Sequence, residues 1–405
     1  MEKLKNREHD FGSKLRQEST INRLREYVLW QRNAKQDTAA QDIPLFSPIS
    51  INLDLTSACN FSCPYCVDSG LLNDGKSLKL GEVKRMIDVL RSHGLLSVIL
   101  IGGGEPTLHK DFTEIVRDIK GRGLQLGIAT NGTRMDKIAE VAGLFEEKDW
   151  IRISIDAAKE ETFKDLHRPK SRIRLGRILE GARKVKEMNP RVSLGYSFLI
   201  IWEGLEVNGM KLKPNLDEIS ETVKLAREHA FDYVSLKPCL IRLEDTHRES
   251  LLEKVDRAKE KEISEQIRIR LEKAKGVANG QIKVLESVNL RAMLSGETEK
   301  IKTQPQRCHM SFFRTVVAPS GIFHCPAFRG VKEARIGEND GYTTESKLKE
   351  SLLNTARSIL DFDASVECRV VGCFYNETNW WLERLIHSGE DVNRIEEVED
   401  ENFFL

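Results

Sequence analysis

Apolar residues along this chain switch between two spacings. From about residue 49, short runs rich in β-branched residues alternate with longer segments whose apolar positions recur every three or four residues. ISINLDL (49–55), SVILI (97–101), LQLGIAT (124–130), WIRISID (150–156), VSLGYSFLII (192–201) and YVSLK (233–237) read as buried strands. LGEVKRMIDVLRSHG (80–94), DFTEIVRDIKGRG (111–123), RMDKIAEVAGLF (134–145), RLGRILEGARKVKEM (174–188) and NLDEISETVKLAREHA (215–230) carry helical spacing. Gly94 serves as a stop and Asp111 as an N-cap. Six such units with short connections predict parallel strands joined by helical crossovers. Six are too few for the eight-unit barrel, so the expected fold class is α/β, a partial (β/α)6 TIM-like barrel. Ligands of such sheets lie beyond the carboxyl ends of the strands.

The pattern then changes. Residues 243–300 are dominated by mixed charge, as in RESLLEKVDRAKEKEISEQIRIRLEKAKG, and read as one or two solvated helices leading to the next domain. SFFRTVVAPSGIFHC (311–325) predicts two strands around a Pro-Ser-Gly turn, and NETNWWLERLIHS a helix after Cys373. EEVEDENFFL reads as an acidic, loose tail. The expected organisation is an N-terminal helical extension (1–48), the barrel core (49–240), a charged helical linker (241–305), a small α+β domain (306–388) and the tail (389–405).

Composition narrows the function classes. Hydrophobic residues make up 40% and charged residues 31%, which is ordinary for a folded domain. Lys+Arg and Asp+Glu are both 63, so no global charge favours nucleic acid or an anionic membrane. No apolar run approaches the roughly 20 residues of a spanning helix, and the first forty residues lack a signal-peptide stretch. The expected location is cytoplasmic. In a reducing compartment, clustered cysteines point to metal rather than to disulfides.

CNFSCPYC places Cys59, Cys63 and Cys66 just after the first strand. A four-iron cluster normally takes four thiolates. Three protein ligands leave one iron open, as in a catalytic metal site. A small molecule with an amine and a carboxylate would fill it. If that molecule is a sulfonium, one electron from the cluster breaks its C–S bond. A structural zinc knuckle is the alternative; His93 and His109, the candidate fourth ligands, each lie beyond a predicted helix or strand.

CNFSCPYC has the CxxxCxxC form and resembles the radical S-adenosylmethionine superfamily. GGGEP (102–106), TNG (130–132) and SID (154–156), each at the end of its strand, agree with that resemblance in order and spacing, and Tyr65 precedes the third cysteine. The likeness covers most of residues 49 to about 238. Gly103 and Gly104 allow close backbone approach, and their carbonyls with Glu105 suit an ammonium. Pro106 turns the chain away. By resemblance, Asn131, Ser154 and Asp156 face the ribose or methionyl end, Tyr65 lies along the adenine, and Arg168 pairs with the methionyl carboxylate or is simply solvated.

Cys308, Cys325, Cys368 and Cys373 fall within one C-terminal segment. This set resembles the twitch domain, a truncated SPASM domain, which implies a second four-iron cluster in an auxiliary iron–sulfur domain. CRVVGC departs from the family spacing, and His309 or His324 is then a possible substitute ligand. A zinc site or plain buried cysteines is the alternative. The implied cofactors are two 4Fe–4S clusters and S-adenosylmethionine, with a flavodoxin- or ferredoxin-type electron donor as partner.

Cys239 belongs to neither set. In SLKPCL it follows the sixth strand and is a candidate hydrogen-atom donor, or else a small buried hydrophobe. Lys237 is a candidate substrate contact. Nine Lys/Arg against two acids between 164 and 186 suggest a phosphate handle or a solvated helix face. The resemblance implies that a 5′-deoxyadenosyl radical abstracts hydrogen from a substrate carbon, and the expected outcome is epimerisation or dehydrogenation of a small sugar- or nucleotide-like molecule. The short N-terminal segment favours a small molecule over a ribosomal peptide, the substrate of the alternative maturase reading. A non-catalytic metal-cluster protein is the competing class.

Overall fold

In the computed structural model, residues 10–34, 42–170, 172–207, 209–243, 249–251 and 255–405 are described. One mixed sheet organises the chain. Its strands are β1 (Ser50–Leu53), β2 (Ser97–Leu100), β3 (Gln125–Thr130), β4 (Trp150–Ser154), β5 (Ser193–Ile200), β6 (Tyr233–Pro238), β7 (Lys283–Glu286), β8 (Arg314–Ala318), β9 (Gly321–Phe323) and β10 (Arg335–Gly337). The spatial order is β7-β6-β5-β4-β3-β2-β1-β8-β9-β10. Every pair from β7 through β8 is parallel, while β8-β9 and β9-β10 are antiparallel. The core strands alternate with crossover helices Leu80–Ser92, Phe112–Gly121, Leu175–Met188 and Ile219–Glu228. This is the partial TIM-like barrel with a C-terminal α+β part, built as βα units dictate.

The strands carry most of their apolar side chains on one face, while the opposite face bears polar residues such as Asn52, Arg152, Ser154 and Ser197. Ile51, Leu53, Val98, Leu100, Leu126, Ile128, Ile151, Ile153, Leu194 and Tyr196 are all buried. Gly127 and Gly195 make room for neighbours: a Cβ on Gly127 would stand 2.4 Å from the Trp150 ring, and one on Gly195 2.2 Å from the Tyr233 ring.

Three expectations need correction. The 243–300 stretch, part of the expected 241–305 linker, supplies β7 as well as helices; residues 244–248 and 252–254 of it lie outside the described residues. Its long helix, Arg257–Ala278, is not solvated all round. Ile263, Ile267, Leu271, Ala274 and Ala278 form a buried stripe that packs on Ile219–Glu228. The stripe is narrow, so the surrounding charge hides it. The 134–145 helix breaks into Met135–Ala139 and a 3-10 turn, Ala142–Leu144. Asp111 occupies the N-cap position of Phe112–Gly121, but its side chain accepts no capping hydrogen bond.

The tail, expected to be loose, is docked. The Lys14 ammonium donates to the Phe404 carbonyl at 2.5 Å, Gln17 Nε2 to the Asn402 carbonyl at 2.8 Å and Ser97 Oγ to the Phe403 carbonyl at 2.6 Å. The Phe403 amide donates to Gln125 Oε1 at 2.9 Å, and the Phe404 ring meets Trp150 edge-on at 5.6 Å. Ser97, Gln125 and Trp150 are the first residues of β2, β3 and β4. The tail therefore floors the barrel at the end opposite the strand-terminal loops. FFL, at the end of an acidic run, carries the burial.

Helix Glu18–Asn33 places Tyr27 and Trp30 against Phe312 and Phe313, locking the N-terminal segment onto the C-terminal part. Among the described residues no helix is long and apolar enough to cross a membrane.

Phe404→Ala removes a buried ring from the barrel floor. It should lower unfolding stability by about 3 kcal/mol in denaturant titration, while an alanine at exposed Glu399 should change it by less than about 0.5 kcal/mol.

Candidate functional site

The loops at the carboxyl ends of β1 to β6 converge on one mouth, and buried acids hold them. Glu105 ends the GGGEP loop after β2. Its Oε1 accepts from the Thr107 amide (3.0 Å), Thr107 Oγ1 (2.5 Å) and Thr130 Oγ1 (2.6 Å), and its Oε2 from the Asn131 amide (2.6 Å). Burial raises its pKa, and these four donors oppose the shift. Glu105 thus ties the second loop to the third and leaves little acceptor capacity for an ammonium. The Asn131 side chain donates to Asn60 Oδ1 at 2.7 Å, and Asn60 donates to Thr133 Oγ1 at 2.8 Å, so TNG grips the cysteine loop.

Asp156 is the corresponding anchor after β4. It is buried and adopts φ 54°, an αL conformation that short acidic side chains tolerate. Its Oδ1 accepts from the Leu199 amide at 2.7 Å and its Oδ2 from the Tyr65 hydroxyl at 2.9 Å. Tyr65 is therefore buried and aimed by its phenol. Ser154, partly buried, pairs with Ser197 across the β4–β5 ladder. Arg168 is exposed in αL conformation, its guanidinium 2.7 Å from the Met210 sulfur.

His167, beside Arg168, was not singled out from sequence, yet it is the residue of HRP that enters the site. Its Nε2 lies 2.5 Å from the Ile155 carbonyl, which fixes that nitrogen as a donor. Nδ1 then faces Cys63 Sγ at 3.2 Å and the Tyr65 hydroxyl at 3.4 Å. Burial lowers its pKa, opposed by Asp156.

Cys59, Cys63 and Cys66 lie within electrostatic reach of one another, and burial raises the pKa of each, Cys66 to about 12. The second set is similar. Cys308, Cys325 and Cys373 sense one another, and burial raises all three, Cys325 to about 12. Cys368 borders the same small apolar cluster, built on Ala327, Phe328, Ala334, Ala364 and Val371. Among the described residues, no three His, Cys, Asp or Glu side chains converge as a site for one metal ion.

The donor set fits an iron–sulfur group. Buried thiols resist ionisation alone, and a bound cation deprotonates them. In five cases the amide two residues on favours the ionised thiol: Phe61 for Cys59, Asp68 for Cys66, Met310 for Cys308, Ala327 for Cys325 and Tyr375 for Cys373. Amides so placed stabilise thiolate charge and would tune a cluster.

His309 is committed elsewhere: Nδ1 pairs with the Tyr27 hydroxyl at 2.8 Å and Nε2 with Glu383 at 2.7 Å. It cannot also substitute as a ligand without breaking one of these bonds. His324 Nδ1 pairs with Ser358 Oγ at 2.6 Å, and its ring packs on Phe328 and Phe362.

Cys239 is buried just past β6, in electrostatic reach of Asp156 and Tyr65. Burial pushes its thiol pKa far up, so the S–H bond is intact at neutral pH. Lys237, in β6, lies opposite Leu199 and acts electrostatically on Asp156. Within the basic 164–186 run, Lys164, Arg174, Arg183 and Lys186 have acidic partners within 4 Å (Glu160, Glu160, Glu180 and Asp232), which is the behaviour of a charge-rich surface.

A second group that sequence did not reveal is ionic. Asp54, Asp68, Arg242, Glu249 and Arg329 lie between the two cysteine sets, and burial pushes Glu249 up to about 7. Only the unusual placement of acids in LDL and VDSG, next to strand end and cysteine, hinted at it.

Residues 53–208 match the family model described as the radical SAM superfamily. The chain is 37% identical over 113 residues to the S-adenosylmethionine-dependent nucleotide dehydratase of Selenomonas ruminantium, covering 28% of this chain and 40% of that protein. It is 35% identical over 118 residues to the probable GTP 3′,8-cyclase of Pyrococcus abyssi, covering 28% and 37%. The chain thus spans less than half the length of these curated relatives. The crystal structure of Streptococcus suis SuiB bound to precursor peptide SuiA shares its fold, with a TM-score of 0.51 and 17% identity over 74% of this chain and 64% of that one.

Two outcomes follow. A Cβ on Gly104 would stand 2.5 Å from the carbonyl oxygens of both Thr56 and Ala58. Gly104→Ala should cost about 2 kcal/mol in thermal or chemical unfolding. Glu249, with its folded pKa raised from 4.5 to about 7, binds its proton more tightly folded than unfolded. Its stabilising contribution is complete below pH 4.5 and lost as pH rises through about 7. Glu249→Gln should flatten the pH dependence of stability across that window.

Proposed function

Residues 53–208 are a radical SAM domain, and from that premise we propose that this enzyme removes a hydrogen atom from a carbon of a small sugar- or nucleotide-like substrate and returns one from Cys239, inverting that centre. Cys59, Cys63 and Cys66 would hold the first four-iron cluster; Cys308, Cys325, Cys368 and Cys373 would hold a second. When bound, the first cluster and S-adenosylmethionine supply a carbon-centred radical that abstracts hydrogen.

The observation that carries the epimerase reading is the Cys239 thiol: buried, still protonated, and beside Tyr65 and Asp156 at the mouth. A substrate carbon radical takes the hydrogen atom of a weak S–H bond. The resulting sulfur radical regains its thiol with one electron and one proton, the electron from a flavodoxin- or ferredoxin-type donor. Lys237, two positions before Cys239 in the chain and within electrostatic reach of Asp156, suits an anionic substrate group. The Asp156–Tyr65–His167 hydrogen-bond network holds the wall of the site, and Gly103 and Gly104 let the GGGEP loop close against Asp54 and the Thr56–Ala58 backbone. The nucleotide chemistry in the names of the sequence relatives supports a small anionic substrate.

Oxidation is the second reading, favoured by the four cysteines gathered around one apolar cluster. There the substrate radical would lose a proton and pass its electron to the cluster that Cys308, Cys325, Cys368 and Cys373 would hold, and no hydrogen returns.

Anaerobically purified protein should carry about eight irons per chain, and dithionite with S-adenosylmethionine should yield 5′-deoxyadenosine. Zinc without iron rejects the enzymatic reading. With substrate in deuterium oxide, hydrogen return places one deuterium on the product carbon. Cys239→Ala should abolish that label while 5′-deoxyadenosine still forms; unchanged labelling eliminates Cys239 as donor, and a desaturated, unlabelled product supports oxidation.

A further inference from the structure

Arg329 lies four residues after Cys325, just beyond the 3-10 turn Pro326–Phe328, yet its guanidinium reaches the first cysteine loop. Nη1 donates to both Asp68 oxygens, at 3.1 and 2.9 Å. Nε lies 2.6 Å from Asp54 Oδ2, and Nη2 donates to Asp54 Oδ1 at 3.4 Å. All three side chains are buried, with 5% of Arg329, 0% of Asp54 and 9% of Asp68 exposed.

Each acid belongs to a different part of the first site. Asp54 directly follows β1. Asp68 lies two residues after Cys66, its amide favours the ionised Cys66 thiol, and its Oδ2 accepts from the Gly103 amide at 3.2 Å. The glycine loop is pressed against this group: a Cβ on Gly102 would stand 3.1 Å from Asp68 Oδ2, and one on Gly103 3.1 Å from Asp54 Oδ2. One guanidinium therefore joins the end of β1, the Cys66 arm, the GGGEP loop and the Cys325 segment.

We propose that Arg329 is a positioning residue that couples the two cysteine sets, so that occupancy of the second set holds the Cys66 arm in the geometry the first set needs. The coupling rests on reading both sets as cluster ligands. Its physical basis is twofold. The Cys325 segment packs in a small apolar cluster of its own, apart from the main core, so metal on Cys325 is a principal restraint on where Arg329 sits. Two buried carboxylates in turn depend on that cation, because a buried acid stripped of its partner is far less stable than either an intact pair or an apolar replacement. Shifting Arg329 therefore disturbs Asp68, and with it the amide that faces Cys66. Coupling of this kind is reciprocal between the two sites.

The test is a double-mutant cycle on the full chain, reconstituted anaerobically with iron and sulfide and then challenged with an iron chelator. The second set is disabled by Cys325→Ser with Cys373→Ser, and the clamp by Arg329→Gln. Release of first-set iron is followed by absorbance, with the paramagnetic resonance spectrum of the reduced first cluster as a second readout. Disabling the second set should speed first-set release about tenfold when Arg329 is present, within the usual range of coupling between sites, and shift the resonance. In the Arg329→Gln background the same change should have less than about a twofold effect, and Arg329→Lys should restore part of the coupling. If Arg329→Gln does not fold, Asp54→Asn with Arg329→Gln removes a carboxylate along with the cation and carries the same comparison. Equal acceleration with and without Arg329, or none at all in a protein holding about eight irons, overturns the clamp alone. Wild-type protein that binds no iron overturns the cluster reading, and the coupling with it.

Discussion

Eight parallel strands end on one rim, and that shared direction is the constraint from which the site follows. A parallel sheet sends each crossover helix back along the outside, so every strand-end loop emerges at the same end. The cysteine loop after β1, GGGEP after β2, TNG after β3, Asp156 after β4 and Cys239 after β6 are neighbours for that reason alone. The two parallel strands outside the six-unit core extend the same rim. β8 lies against β1 and leads through β9 to Cys325, which brings the second cysteine set toward the first.

Within the rim, loop shape is set by buried carboxylates more than by apolar packing. Glu105, Asp156 and Asp68 each accept hydrogen bonds from two segments, and Asp54 pairs with Arg329. An unsatisfied buried acid costs so much that each fixes its surroundings to within hydrogen-bond geometry. Residues named for contact with a cofactor thus carry a structural duty as well, and Glu105 is the plainest case.

The sheet core was legible because β-branched apolar runs and three-to-four spacing survive in a single sequence: β1 to β5 fall within the expected segments, and β6 extends one residue past its own. Motif order made the family likeness legible too. What escaped was encoded in partners distant along the chain. β7, KVLE, is four residues with charge at both ends, and looks like a strand only when laid beside β6. His167 was overshadowed by its arginine neighbour, since nothing in HRP shows which side chain turns inward. Arg329, in PAFRGV, has no local mark; its importance comes from Asp54 and Asp68, 275 and 261 positions away. The docked tail was misread for a related reason. Its acidic residues outnumber the three apolar ones at its end, and burial depends on a floor formed by strands that occur much earlier.

That floor bears on how the chain comes together during synthesis. The contact between Ser97 and Phe403 spans 306 residues, and the strands it seals are made long before their cover. A polypeptide growing from its amino end holds β2, β3 and β4 with their lower edge bare until residues 402–404 emerge. Long-range closure of this kind slows assembly and leaves apolar surface open to aggregation meanwhile. Chains that stop short of residue 402 leave that edge uncovered.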